Sequence, residues 1–187
     1  MRTRLFSSEA KNQETQKMAT AWFYQYCWGF STVPAETTDR EEEMRRYSQA
    51  LCNVVAADGV ASKAEIAWVQ GYFANKGFGN LVDEVEMMAK AAEGKTLDEV
   101  TAETKEALNI GSLRFAGNAI IYDSIRAAMA DGLHDKEFKA TITIGRAFGL
   151  SAEKVQEIKE LVLEEEALKA KKARLVTPGH PCLDKKY

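Results

Sequence analysis

The sequence predicts an all-α fold, a bundle built from two related helix–corner–helix units. Three observations carry this. Apolar residues recur at three- and four-residue spacing over long stretches, and no stretch alternates with the period of a strand. The three prolines, Pro34, Pro178 and Pro181, all fall outside the periodic stretches, as helix interiors require. An Ala-Asp-Gly tripeptide occurs twice, at 57–59 and 130–132, each time between two periodic stretches.

The first helix is expected over about 9–29, where Met18, Trp22, Tyr26 and Phe30 recur every four residues. A linker, Ser31-Thr-Val-Pro-Ala, follows. Thr38 or Asp39 can cap the next helix, with Glu41 and Glu42 at the positive end of its dipole. It runs to about Ala57 with Met44, Tyr47, Leu51, Val54 and Val55 inward. Gly59 ends it, since glycine adopts the left-handed conformation without a Cβ penalty. Ser62 and Glu65 form a capping box for a helix presenting Ile66, Val69 and Phe73 and stopping at Gly77. Shorter helices follow near 80–92 and 97–109, the second opened by the box Thr96–Glu99. A helix over about 113–130 leads into the second corner. Asp135 caps the helix after it, which ends near Phe148 and Gly149. Ser151 caps a long last helix to about Leu175, with Val155, Ile158, Leu161, Val162 and Leu168 as its inner face and Glu164 to Glu166 toward water. The chain divides into an aromatic N-terminal helix and linker (1–36), a helical domain (37–175) and an irregular tail (176–187).

At 187 residues the chain has the length of about one domain, enough for a sizeable core. A net charge of −3 gives no whole-chain attraction for nucleic acid, so no nucleic-acid partner is expected. No apolar run is long enough for a transmembrane segment. Three scattered cysteines, Cys27, Cys52 and Cys182, do not make a disulfide framework and suit a reducing, intracellular compartment. Cys27 and Cys52 lie on apolar faces and read as small buried hydrophobes. The start, Met1-Arg-Thr-Arg-Leu-Phe-Ser-Ser, is basic and acid-free until Glu9, a composition shared with the remnants of organelle-targeting (mitochondrial) segments. No phosphate loop, nucleophile elbow or dinucleotide fingerprint is present. With only His134 and His180, and no zinc spacing around His180-Pro-Cys182, an enzyme is not expected.

The two corners, 73 residues apart, repeat in context as well as in sequence. Each has an apolar helix before it, an aliphatic residue after Gly (Val60, Leu133), a capping residue three past Gly (Ser62, Asp135) and then a lysine. The segments Ala57-Asp58-Gly59-Val60…Ser62…Glu65 and Ala130-Asp131-Gly132-Leu133…Asp135…Glu137 resemble the paired motifs of TerB-like domains. These are the all-helical tellurite-resistance domains, also found beside J-domains in DjlA-type co-chaperones. The resemblance spans about 40–165. It implies a compact all-α domain with acidic, metal-associated sites, linked to stress response and membrane-associated assemblies, and no enzyme chemistry. The second corner departs from the first: Glu65 lies seven past Asp58, whereas Glu137 lies six past Asp131 and Phe138 takes the equivalent place.

Neither corner is an EF-hand loop. With Gly59 at the sixth position, Val54 and Ala56 occupy the first and third, and in the second corner Ala127 and Phe138 occupy the first and last. Two readings stand. In the simpler one each Asp shapes its turn through backbone hydrogen bonds. In the other, a calcium-like divalent cation is held by Asp58 and Glu65, with Asp131, Asp135 and Glu137 as further carboxylates. His134 is expected to be solvated.

Residues 22–30 hold six aromatics on both sides of one helix. Trp22, Tyr24 and Trp28 are the candidate partner-binding residues, because Trp and Tyr pair an apolar body with a polar tip. Burial within the domain, a protein partner and a membrane surface all fit this pattern, and the basic end of the last helix and the tail offer a further docking patch. The expected function is a non-catalytic interaction or assembly module, an accessory subunit of a larger complex. The alternative is a stand-alone metal-responsive stress protein of the tellurite-resistance type.

Overall fold

In a computed structural model of the chain, residues 40–176 are described, apart from 111, 112 and 115. The aromatic segment with Trp22, Tyr24 and Trp28, Cys27, and the tail beyond 176 lie outside the described residues. Seven α-helices occur among the described residues, and no strand. They are α1 (Arg40–Val55), α2 (Lys63–Asn75), α3 (Val82–Ala92), α4 (Leu97–Ala107), α5 (Gly117–Ala128), α6 (Asp135–Ala147) and α7 (Ala152–Val176), with short 3₁₀ turns at Ala56–Asp58 and Gly79–Leu81.

Helices α1 and α5 lie side by side at the centre. Both are buried on most of their circumference: Met44, Tyr47 and Leu51 of α1 and Ile120, Ile121 and Ile125 of α5 are fully buried. Each then turns through its corner into a second helix, α1 into α2 and α5 into α6. Helices α3 and α4 cover the outer side of α1, and α7 covers α5 and α6. The segment 80–109 is thus a packed layer rather than a mere connection, with Val85, Ala89, Ala92, Val100 and Leu108 in the same core.

The joint between the central helices is polar. The Tyr47 hydroxyl donates to Asp123 Oδ2 at 2.8 Å, and Arg126 Nη1 stands 3.5 Å from Oδ1. Asp123 has no exposed surface. Burial pushes its carboxyl above the ordinary range, against the pull of the Tyr47 hydroxyl and the Arg126 charge. Cys52 is a buried small hydrophobe, as the sequence predicts, and burial pushes its thiol up to about 12.

The element boundaries show where sequence patterns mislead. The expected helix over 113–130 begins only at Gly117. Leu113 and Ala116 are buried just outside it, in tight turns closed by their own N–H groups onto Ile110 and Leu113. Phe148 sits against the start of that helix, where a Cβ on Gly117 would lie 3.0 Å from the Phe148 Cβ. The inner face of α7 is also shorter than its periodicity. Val155, Ile158 and Val162 are buried, but Leu161 is 48% and Leu168 65% exposed. A helix of 25 residues outruns the 13-residue α6 beside it, so among the described residues its second half has no helix to bury against. Within the acidic run of α7, Glu165 is half-buried and accepts from the Tyr122 hydroxyl rather than facing water.

Candidate cation site between the two corners

The first corner is built locally. The last turn of α1 tightens into a 3₁₀ turn, and the N–H of Gly59 closes it onto the carbonyl of Ala56 at 2.9 Å. Gly59 has φ 116°, which side chains with a Cβ rarely adopt. Asp58 Oδ1 accepts the Val60 N–H at 3.2 Å, so the turn-shaping role expected for this Asp is present. The capping box follows: Ser62 Oγ accepts the Glu65 N–H at 3.2 Å, and Glu65 Oε2 accepts the Ser62 N–H at 2.8 Å. The loop between α3 and α4 braces this corner, with the Gly94 N–H on the Gly59 carbonyl at 3.3 Å and Glu93 Oε1 accepting from the Ala61 N–H at 3.2 Å.

The second corner repeats this construction with one residue fewer. Gly132 has φ 105°. The N-cap of α6 is His134, not Asp135, which is the first helical residue. The capping residue therefore lies two past the glycine instead of three. This places Glu137, not Phe138, at the third helical position, where its Oε2 accepts the His134 N–H at 2.9 Å. Glu65 and Glu137 are thus equivalent in structure, and the sixth-residue spacing that sets the second corner apart in sequence is absorbed in the turn.

The two corners meet. Lys136 of the second donates its ammonium to the backbone carbonyl of Asp58 in the first, and α6 packs on the 3₁₀ turn that holds Asp58. Glu65 and Glu137 feel the other corner's charges. Burial first, and then the nearby carboxylates of Glu137 and Asp131, push Glu65 up to about 7 against the hydrogen bonds from Ser62. Glu137 is raised by burial first, and then by Asp131 of its own corner and Asp58 across the gap. Asp131, His134 and Glu137 each offer one ligand atom, and these atoms lie within 4.8 Å of one another. Asp131 and His134 are exposed and Glu137 is half-buried, so the group opens to solvent on one side.

Of the five carboxylates expected from sequence, Asp58, Glu65, Asp131 and Glu137 converge electrostatically. Asp58, Glu65 and Asp135 stay outside the three-residue group, Asp135 exposed at the start of α6. His134 is exposed as expected, but its ring belongs to the group. The signal that could have found it is the spacing Asp131-x-x-His134-x-x-Glu137, which returns three metal-type ligands through one bend.

The donor set fits a divalent cation on one structural observation. Glu65 is 2% exposed, and its Oε1 is buried with no hydrogen-bond partner, while Oε2 is spent on the cap. A carboxylate oxygen left bare at a buried position costs roughly 1–3 kcal/mol or more unless something positive meets it. Neighbouring carboxylates raise Glu65 and Glu137 by charge, which a bound cation would relieve.

No family model matches this chain, and no curated protein does. Among solved structures it is similar to a tellurite resistance protein from Nostoc punctiforme. The match has a TM-score of 0.64 and 26% sequence identity, and it covers 88% of this chain and 96% of that one. That likeness bears out the resemblance carried by the two corners.

Proposed function

Starting from a TerB-like, all-α bundle whose two corners converge, we propose that this chain is a non-catalytic module that binds one divalent cation between its corners. The observation that carries the reading is the buried, partnerless Oε1 of Glu65 beside the carboxylates of the other corner. Asp131, Glu137 and the His134 imidazole would hold the ion, with Glu65 and Asp58 adding negative charge from the first corner. When bound, the ion supplies positive charge that cancels their mutual repulsion and links the start of α2 to the start of α6. A mostly oxygen donor set with one nitrogen suits calcium-like and manganese-like ions better than a thiolate-seeking metal. Its role is structural and regulatory: it fixes the angle between two helix hairpins, and so the surface they offer to a partner.

Proton chemistry follows from the same residues. The ion takes the deprotonated form of Glu65, so binding strengthens as pH rises toward and through about 7 and releases a proton below that. The reading joins the two functional classes considered from sequence. An accessory subunit would use the ion to set a docking surface. A stand-alone stress protein would use it as a sensor, and the tellurite resistance neighbour favours that second form.

Thermal melts of the chelator-treated full chain test the reading. Ca²⁺, Mn²⁺ and Zn²⁺, each added alone at about millimolar concentration, should raise the melting temperature by several degrees for at least one ion. Glu65→Gln and Glu137→Gln should each abolish the rise. No rise with any ion, or a rise that survives both changes, contradicts the proposal.

A further inference from the structure

Seven large hydrophobic side chains are exposed among the described residues, and five of them lie on α7: Leu161, Leu163, Leu168, Leu175 and Val176. Exposed apolar residues gathered on one element mark a contact surface more often than scattered ones do. Beyond Glu165, no α7 side chain with a described position is buried. Leu161, Leu168 and Leu175 stand seven residues apart, so they line one stripe along the free half of the helix. They are 48%, 65% and 72% exposed, increasingly so away from the body.

Charge along the same half is segregated. The run 160–166 holds Glu160, Glu164, Glu165 and Glu166 and no basic residue. The run 169–174 holds Lys169, Lys171, Lys172 and Arg174 and no acidic one. Such an order is complementary to itself when two copies run in opposite directions, since each acidic run lies along the other's basic run. Run in the same direction, like faces like. A two-fold interface requires a surface of this self-matching kind.

We propose that the free half of α7 is a self-association surface: two copies of the chain pair antiparallel through Leu161, Leu168 and Leu175, flanked by Glu–Lys and Glu–Arg contacts. The stripe spans about 20 Å of helix, a small interface, so the dimer is weak and concentration-dependent. Its orientation sends the two helical bodies to opposite ends. The proposal does not rest on the cation site.

Sedimentation equilibrium of the full chain, from about 5 to about 200 µM, reads it directly. The wild type should pass from monomer to dimer over that range. Leu168→Glu should raise the dissociation constant by about 100-fold or more with an unchanged helical spectrum and melt, because that side chain is already exposed. Lys171→Glu with Lys172→Glu should weaken pairing by about 10-fold, and adding Glu160→Lys and Glu164→Lys to the same chain should restore it. A wild type that stays monomeric throughout, including one that instead captures a different protein, overturns the proposal. So does a Leu168→Glu chain that dimerises as the wild type does.

Discussion

Replacing Glu65 with Gln separates two demands on this side chain. The cap needs an oxygen to accept the Ser62 N–H, and Gln keeps one. A cation needs the negative charge, and Gln removes it. In the native chain Glu65 is pushed from 4.5 up to about 7, mainly by burial. A carboxyl whose folded pKa is raised contributes stability below its unfolded pKa and loses it as pH rises through the folded value. Without an ion, then, the wild type should be progressively weakened between about pH 4.5 and about pH 7 by this group. The shift corresponds to about 3 kcal/mol at ~1.4 kcal/mol per unit, and solvent at the open side of the site reduces it to about 2. For a domain of this size that is a melting-temperature gain of about 6 °C for Glu65→Gln at about pH 8 with chelator. At about pH 4 the two proteins should melt together, because both are then neutral at this position. Adding the ion at about pH 8 should reverse the order, raising the wild type and leaving the variant behind. The assay is a set of melts followed by circular dichroism at both pH values, with and without ion. A Glu65→Gln chain that is less stable than wild type in chelator at high pH, and gains as much from the ion, would refute the reasoning.

Other expectations follow from single contacts. Tyr47→Phe removes the hydroxyl donor to fully buried Asp123 and should cost roughly 1–3 kcal/mol in urea unfolding near neutral pH. The cost should shrink in acid, because Asp123 is already raised by burial and a protonated carboxyl needs the donor less. Gly145→Ala places a Cβ 2.8 Å from Val155 Cγ2, where α6 meets α7, and should cost about 1–3 kcal/mol by overpacking despite the better helix former. Gly59→Ala meets no atom within 4 Å, so its expected cost of about 1–2 kcal/mol is backbone alone, and Gly132→Ala should behave alike in the same unfolding assay.

Much of this architecture was legible in the chain. The boxes Ser62–Glu65 and Thr96–Glu99 and the Ser151 cap announce helix starts by short-range hydrogen bonding, which sequence spacing encodes directly. The paired corners were visible for the same reason. Their meeting was not, because contact between residues 58 and 136 is a consequence of how α1 and α5 pack, and no local spacing carries it. The capping position of His134 was missed through a one-residue offset: counting from Gly59 puts the second cap at Asp135, whereas the shorter turn ends at His134. Leu161 and Leu168 misled for a different reason. Periodicity reports which face of a helix is apolar, but not how far the body beneath it extends. In α7 the apolar stripe continues past the last neighbouring helix among the described residues, and residues that look like core are exposed there.

The account stands or falls on whether the two corners make one cation site. Calorimetric titration of the chelator-treated full chain with the ion that raises its melting temperature measures this most directly. The account predicts one ion per chain, with binding lost on Glu65→Gln in the first corner and equally on Glu137→Gln in the second. Two ions per chain, each lost with its own corner alone, or no heat of binding at all, would contradict it.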